Sequence, residues 1–245
     1  GAAEYKAVAS GVRYTHMGGY SVERLNTILS TEVAAFSSFK IQYPQAANGV
    51  SLYKVQYSTV IPEQGNKPTL ASGLVAVPQT AQKKLPVVSY QHGTVFTRTA
   101  VPSRPEESDE TRIVTARLAG NGYVVIAADY IGKGDSAEPD SYMVREATVQ
   151  ACVDMLFAAR AVLADLGIAE DGLFLSGWSQ GSWSTQQFRH RLESRNIPVK
   201  AAATAATPAD LYLLLTRWIN NPSALDATWL AGSVILFTYS YAYYY

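Results

Sequence analysis

The stretch that decides the fold is Gly172-Leu173-Phe174-Leu175-Ser176-Gly177-Trp178-Ser179-Gln180-Gly181. Its first half is a short apolar run that predicts a buried strand. Residues 182–194, which follow it, contain no Gly or Pro and carry large apolar side chains at helical spacing. The turn between strand and helix has the form G-x-S-x-G, in which Gly177 and Gly181 allow a bend that leaves the Ser179 hydroxyl above the sheet. The pattern therefore predicts a nucleophilic serine on a strand-to-helix turn.

Composition restricts the class of protein. The 245 residues are 48% hydrophobic and 16% charged, which fits one globular α/β domain with a sizeable core. Twenty basic residues balance twenty acidic ones, and Lys and Arg are not clustered, so nucleic acid is not an expected partner. We expect a small or neutral substrate. The single cysteine, Cys152, lies in a helical segment and is predicted to be a buried thiol.

The first residue is Gly rather than Met, and no charged and then apolar leader precedes it. Either a signal peptide has been removed or a remnant of an expression tag remains. Together with the many Tyr, Ser and Thr residues, this start favours an exported protein, secreted or periplasmic.

The order of elements predicts a mostly parallel sheet. A helix over 21–39 precedes two β-rich segments, 51–61 and 70–77, which are typical of an antiparallel hairpin. Short apolar strands then alternate with longer helical segments, a pattern of parallel strands joined by crossover helices. The predicted strands are 85–90, 123–130, 173–177 and 199–207, and the helices are 111–119, 141–164 with Asp140 as N-cap and Gly167 past its end, and the helix after Ser179.

The C-terminal segment is unusually apolar and aromatic. Residues 211–219 and 223–245 predict helices, and the last nineteen residues carry no charge. A membrane span is one interpretation, but the many tyrosines with interspersed Ser and Thr make a poor surface for hydrocarbon. We predict instead no membrane span, and either a cap helix over an acyl pocket or a buried helix.

Three segments together resemble the α/β-hydrolase superfamily in residue type, order and spacing. They are Tyr90-Gln91-His92-Gly93-Thr94, Ala128-Asp129-Tyr130-Ile131-Gly132-Lys133-Gly134-Asp135-Ser136, and the serine turn. Within that superfamily the chain resembles exported bacterial esterases and lipases with a helical cap after the sixth strand, including cell-wall-degrading esterases of plant-pathogenic bacteria. The resemblance implies an accessory helical segment at 1–49, an α/β-hydrolase core with strands one to six at 50–208, and the start of a helical cap at 209–245.

The resemblance also implies roles for individual residues. Ser179 would be the nucleophile, and the backbone N–H groups of Thr94 and Gln180 would form an oxyanion hole. His92 would orient the oxyanion loop by binding backbone. Beside these roles, Asp129 and Asp135 are predicted to hold the loop after the fourth strand through local hydrogen bonds, and neither is predicted to be catalytic. No metal or organic cofactor is implied.

The rest of the expected triad is missing from its usual place. This fold supplies a serine, then an acid, then a histidine, yet no histidine follows His190, which lies about 16 Å along the predicted helix from Ser179. Asp210 and Asp226 fall in the cap-like region, and His16 is predicted to be a surface residue. We expect that the seventh and eighth strands, the acid and the base are encoded beyond residue 245 or in a separate segment.

The function predicted from the sequence is a secreted serine carboxylesterase or lipase acting on a small-molecule, glycan or lipid ester. Two alternatives stay open at this point: a serine peptidase of the same fold, because the turn does not distinguish ester from amide, and a catalytically inactive ligand-binding protein. Trp218, Trp229 and Phe237 suggest an acyl pocket or a surface for sugar rings, although they could equally pack the cap onto the domain. Oligomeric state is not predicted.

Overall fold

The computed structural model describes residues 2–33, 43–205, 217, 220–221, 223–224 and 229–245. Within these residues the strands are β1 Lys6–Ala9, β2 Val12–Tyr20, β3 Val50–Ile61, β4 Lys67–Pro78, β5 Lys84–Gln91, β6 Val124–Ala128, β7 Ala169–Trp178 and β8 Ala201–Ala205. The α-helices are α1 Val22–Thr27, α2 Asp109–Leu118, α3 Arg145–Asp165, α4 Gln180–Ser194 and α5 Trp229–Tyr244.

The eight strands form one mixed sheet in the order β1-β2-β3-β4-β6-β5-β7-β8. The neighbours from β1 to β6 in this order are antiparallel, and β5 lies parallel to both β6 and β7, as does β7 to β8. The predicted hairpin is confirmed as β3 and β4, which pair without a register shift from Val50 opposite Pro78 to Ile61 opposite Lys67. Because β5 pairs in parallel with both β6 and β7, the carboxyl ends of these three strands lie at the same edge of the sheet.

The N-terminal segment begins with two strands, contrary to the helical structure predicted for residues 1–49. It was expected to be helical, yet β1 and β2 extend the antiparallel side of the sheet before α1 begins. The edge strand β1 has no buried side chain, so its alternation is weak. In β2 the adjacent Gly18 and Gly19 have no side chains that could show alternation. Strand β2 runs through both glycines. Glycine is required at position 19, because a Cβ there would meet the backbone carbonyl of Val50 on β3. The division of the chain into three domains stays a prediction.

Two predicted helices have different bounds in the structure. The segment 21–39 forms α1 and then a π-helical turn, Ile28–Glu32, and residues 34–42 lie outside the described part of the chain. The helix predicted over 141–164 is α3, which begins four residues later at Arg145. Asp140 does not cap it, because its carboxylate lies 2.7 Å from the Lys133 ammonium group. Gly167 follows the helix with φ 73°, as the prediction of its C-terminal end required.

Helix α3 packs one face of the sheet and forms much of the core. By length and composition this helix could span a membrane, but 67% of its most apolar 18-residue stretch is buried, as in the core helix of a globular domain. The Tyr57 hydroxyl donates a hydrogen bond of 2.8 Å to the carbonyl of Ala151 within this core. Cys152 is buried as predicted, and burial raises the pKa of its thiol to about 12. Helices α1 and α2 contribute to a second apolar cluster.

The aromatic helix α5 corresponds to the second half of the predicted C-terminal helices, whereas residues 211–216, 218 and 219 lie outside the described part of the chain. It attaches to segment 139–143 through hydroxyl groups. Ser240 Oγ accepts from the Tyr142 N–H, and the hydroxyls of Tyr241 and Tyr244 donate to the carbonyls of Met143 and Pro139. The helix therefore binds the loop between β6 and α3 by polar contacts, and its role as a cap stays a prediction.

Candidate active site

Ser179 is the single residue between the end of β7 and the start of α4. Its backbone has φ 56° and ψ −120°, a region that residues other than glycine rarely occupy and that costs about 1–3 kcal/mol. The Ser179 N–H donates to the carbonyl of Ala205 at the end of β8 (3.0 Å), and its own carbonyl accepts from the Ser182 N–H (2.9 Å). The side chain does not cap α4. Backbone contacts thus fix the turn.

The two glycines of the turn are required for steric reasons. A Cβ at Gly177 would meet the carbonyl of Gly181 and the hydroxyl of Thr185, and a Cβ at Gly181 would meet the backbone carbonyls of Gln91 and His92. These are backbone or buried atoms that have no space to move. The sequence prediction of a sharp elbow with glycine on both sides agrees with this crowding.

The same crowding brings residues 92–94, the predicted oxyanion loop, against the elbow. Strand β5 pairs with β7 up to Gln91 opposite Gly177, and a Cβ at Gly93 would lie 2.9 Å from Cε3 of Trp178. Both predicted oxyanion donors are therefore at one junction: Thr94 follows Gly93, and Gln180 begins α4. The N-terminus of a helix also favours negative charge.

His92 is enclosed and bound to backbone on both sides of its ring. Only 2% of its surface is exposed, Nδ1 lies 2.8 Å from the carbonyl oxygen of Gly93, and Nε2 lies 2.9 Å from the carbonyl oxygen of Asp129. The ring stacks on Tyr130 at 4.0 Å, and the Tyr130 hydroxyl donates to the His92 carbonyl. The prediction that His92 binds backbone is confirmed, and both of its nitrogens are occupied.

This arrangement sets the direction of the Thr94 N–H. In a planar trans peptide the C=O and the following N–H point in opposite directions. The Gly93 carbonyl faces the His92 ring, which reaches toward Asp129 at the end of β6. The Thr94 N–H therefore points away from the His92 ring. The Thr94 hydroxyl lies 3.2 Å from the hydroxyl of Tyr142.

Glu110 on α2 accepts hydrogen bonds from the oxyanion loop and from the strand before it, and this role was not predicted from the sequence. Its carboxylate, on the first turn of α2, accepts the Tyr90 hydroxyl and the Gly93 N–H, the latter at 2.9 Å and 3.2 Å for its two oxygens. Burial raises the pKa of Glu110, and the nearby His92 and the two donors partly oppose this rise. Its position at the start of a predicted helix gave no sign that the side chain points inward.

The sequence predicted local hydrogen bonds for the two aspartates after β6. They do hold their loop, but their partners lie elsewhere in the chain. Asp129 accepts the Ser72 hydroxyl (2.6 Å) from β4 and the Ser103 N–H (2.9 Å). Burial raises the pKa of Asp129, with these hydrogen bonds acting in the opposite direction. Asp135 contacts Lys54 and Gln56 on β3; burial acts to raise its pKa, but these two partners lower it overall. The loop is thus tied to neighbouring strands.

None of the three histidines of the sequence contacts Ser179. His16 is exposed on β2 beside Tyr53, in agreement with the sequence prediction, and His190 is exposed on α4. The predicted acid candidates Asp210 and Asp226 lie outside the described part of the chain. Among the described residues, no three His, Cys, Asp or Glu side chains are grouped so that they could hold a metal ion.

The mixed sheet, the strained serine between β7 and α4 and the adjacent His-Gly loop define an α/β-hydrolase fold with a sharp strand-to-helix elbow. No family model and no curated protein sequence matches the chain. Solved structures do. A Legionella pneumophila protein classed provisionally as a hydrolase superimposes with a TM-score of 0.82 and 29% sequence identity, over 94% of this chain and 60% of that one.

Two further solved structures share the fold at lower identity. The rice cell wall degrading esterase LipA from Xanthomonas oryzae has a TM-score of 0.75 and 24% identity, over 94% of this chain and 59% of that one. Candida antarctica lipase A has a TM-score of 0.58 and 17% identity, over 79% of this chain and 44% of that one. The chain thus spans 60% or less of the length of these structures.

Proposed function

We propose that this chain carries the nucleophile and oxyanion hole of a serine hydrolase that acts on carboxylic esters. The observation that carries the proposal is the backbone of Ser179, held at φ 56° between two glycines beside the oxyanion loop. Strain of this kind persists only where the surrounding structure imposes it, and it is concentrated at functional sites. Here it presents a hydroxyl beside two backbone N–H groups, those of Thr94 and Gln180.

The proposed reaction is acyl transfer through Ser179. A base removes the hydroxyl proton as Oγ forms a bond to the ester carbonyl carbon, and the carbonyl π electrons move onto its oxygen. The N–H groups of Thr94 and Gln180 stabilise that oxyanion, each by about 3 kcal/mol. The intermediate then expels the alcohol, which takes the proton from the base and leaves an acyl-enzyme. Water releases the acid by the same steps in reverse order.

We propose that the base and its acid partner come from protein outside these 245 residues. His92 is bound to two carbonyls, and His16 and His190 are exposed on β2 and α4, away from the elbow. The solved chains with this fold are longer, since the match covers only 60% and 59% of two of them, and a segment that supplies these residues would correspond to part of the remainder. The complete protein is therefore the form in which turnover should be measured.

Ester rather than amide hydrolysis is supported by the neighbouring structures, which include an esterase and a lipase. Trp178 and Phe96, 42% and 52% exposed, place apolar rings on the elbow and just after the oxyanion loop, where they could contact an acyl chain or a sugar. Export is proposed from the resemblance to an esterase that degrades a cell wall, and a glycan or lipid ester is the proposed substrate class.

The experiment that tests this function is fluorophosphonate labelling of the naturally produced protein, read by intact mass and peptide mapping. We expect one adduct on Ser179, none in Ser179→Ala, and normal labelling in Ser194→Ala, which removes an exposed serine from the same helix. Hydrolysis of p-nitrophenyl esters without aminopeptidase activity would support the esterase. Peptide hydrolysis would instead indicate the peptidase, and absence of any adduct would leave a ligand-binding protein.

A further inference from the structure

The hydrogen bonds of His92 require a specific protonation state. Nδ1 and Nε2 lie 2.8 Å and 2.9 Å from carbonyl oxygens, those of Gly93 and Asp129. A carbonyl oxygen can only accept, whereas a neutral imidazole has one N–H and one bare lone pair. In either neutral tautomer one ring nitrogen would face an oxygen lone pair at hydrogen-bond distance. Only the doubly protonated ring satisfies both contacts.

The surroundings of the ring supply the compensating charge. The carboxylate of Glu110 on α2 is bound to Gly93, the residue after His92, and Asp129 at the end of β6 is fully buried. From the loop before α3, Asp140 pairs with Lys133. The ring also stacks on Tyr130, an arrangement that favours a cation. Burial raises the pKa of both Glu110 and Asp129, so an ionised form of either carboxyl needs compensation nearby.

Glu110 itself has the contacts of a carboxylate rather than of a carboxylic acid. Both of its oxygens accept from the Gly93 N–H, and one also accepts from the Tyr90 hydroxyl. The ionised form makes all of these contacts as they stand, whereas in a protonated Glu110 the Tyr90 contact would have to be reversed, with the carboxylic O–H donating to the phenol oxygen. The ionised form therefore fits the contacts, and a buried anion of this kind needs a nearby cation.

We propose that Glu110 and a doubly protonated His92 form a buried charge pair that positions the oxyanion loop. Glu110 holds the Gly93 N–H, which belongs to the peptide between His92 and Gly93, and the His92 ring holds the Gly93 C=O, which belongs to the peptide between Gly93 and Thr94. Two successive peptides are thus fixed, and by planarity the second contact turns the Thr94 N–H away from the His92 ring. Both residues are positioning residues, because neither is expected to touch the reacting atoms. Their effect on catalysis rests on the function proposed above, but the protonation state of His92 does not.

The test is nitrogen NMR of the protein labelled with ¹⁵N-histidine at neutral pH. Only three histidines are present, and the variants His16→Gln and His190→Gln assign the two exposed ones. We expect His92 to show two protonated ring nitrogens, each with a slowly exchanging proton. A single protonated nitrogen at His92 would overturn the proposal. This readout needs neither turnover nor Ser179 acylation.

The contribution of Glu110 is tested by Glu110→Gln, with Glu107→Gln as a control that removes an exposed carboxylate from the adjacent segment. We expect Glu110→Gln to convert His92 to a singly protonated ring and to lower kcat of the complete enzyme by at least about tenfold, with KM little changed. Two protonated nitrogens in a folded Glu110→Gln protein would contradict the pairing. If Glu110→Gln does not fold, the spectrum of the wild-type protein still decides the protonation state of His92.

The two proposals fail in distinguishable ways. A doubly protonated His92 with no fluorophosphonate adduct on Ser179 would refute the hydrolase function and retain the charge pair. An adduct on Ser179 with a singly protonated His92 would do the reverse.

Discussion

The elbow and the oxyanion loop lie side by side but are held in place by different forces. At the elbow the constraint is shape: Gly177 and Gly181 have no space for a Cβ, and Ser179 takes a strained conformation between them. In the loop the constraint is polar: His92 and Glu110 bind backbone groups in a buried environment. A steric constraint is local in sequence, whereas a polar one draws its partners from several elements.

The two constraints also contribute differently to the free energy of unfolding. The strain at Ser179 is a fixed cost of about 1–3 kcal/mol that neighbouring backbone contacts offset. The buried carboxylate of Glu110 costs free energy that its partners offset only in part, so its contribution depends on protonation and therefore on pH. Substitutions at the elbow should act through volume and conformation, and substitutions behind the loop should act through charge.

The largest expected effect comes from filling the elbow. In Gly181→Ala the new Cβ meets the carbonyls of Gln91 and His92, so we expect a loss of unfolding free energy of about 4 kcal/mol or more, measured by chemical denaturation. The control is Gly232→Ala on α5, where the nearest atoms belong to the half-exposed ring of Phe96 at 3.1 Å. That change should be neutral or stabilising by up to about 1 kcal/mol. A loss below about 1 kcal/mol in Gly181→Ala would contradict the steric account.

The next effect concerns the buried hydroxyl that ties the elbow to β8. Ser182 Oγ donates to the Gly177 carbonyl at 2.9 Å and accepts from the Ala205 N–H at 3.0 Å. Ser182→Ala leaves these groups without a partner and should cost about 1–3 kcal/mol, measured by the same denaturation. Ser194→Ala, which removes an exposed hydroxyl at the end of the same helix, should change stability by less than about 0.5 kcal/mol. Equal effects of the two variants would show that Ser182 does not hold the elbow.

A smaller effect of opposite sign is expected at the nucleophile. Glycine adopts a positive φ without strain, so Ser179→Gly should raise the unfolding free energy by about 1 kcal/mol. Ser179→Ala retains a Cβ and should leave stability nearly unchanged, and both variants should lose the fluorophosphonate adduct. Thermal denaturation of the two proteins side by side measures the difference. A Ser179→Gly protein less stable than Ser179→Ala would remove the argument for strain.

The same contrast explains what the sequence could predict. The elbow and the alternation of strands and helices from residue 85 onward follow from consecutive residues, and both agree with the structure. The backbone contacts of His92 were implied by the resemblance to the α/β-hydrolase superfamily, and they also agree. The antiparallel strands β1 and β2 were missed because β1 is a four-residue edge strand with no buried side chain, and β2 contains two adjacent glycines and buries only two side chains, so neither shows clear periodicity. Glu110 was missed for a different reason. Its partners Tyr90 and Gly93 lie about twenty residues earlier, and only the packing of α2 brings them together.

The last expected effect is a change in pH dependence rather than in overall stability. Because the pKa of Glu110 is raised in the folded protein, chiefly by burial, the unfolded chain releases this proton first as the pH increases. Between the unfolded and folded pKa values the folded state binds more protons, so this group makes the unfolding free energy fall as the pH rises from its usual range. Glu110→Gln should remove that fall, and Glu107→Gln reports the effect of losing an exposed charge. Parallel curves for wild type and Glu110→Gln would mean that shape, not charge, holds the loop as it holds the elbow.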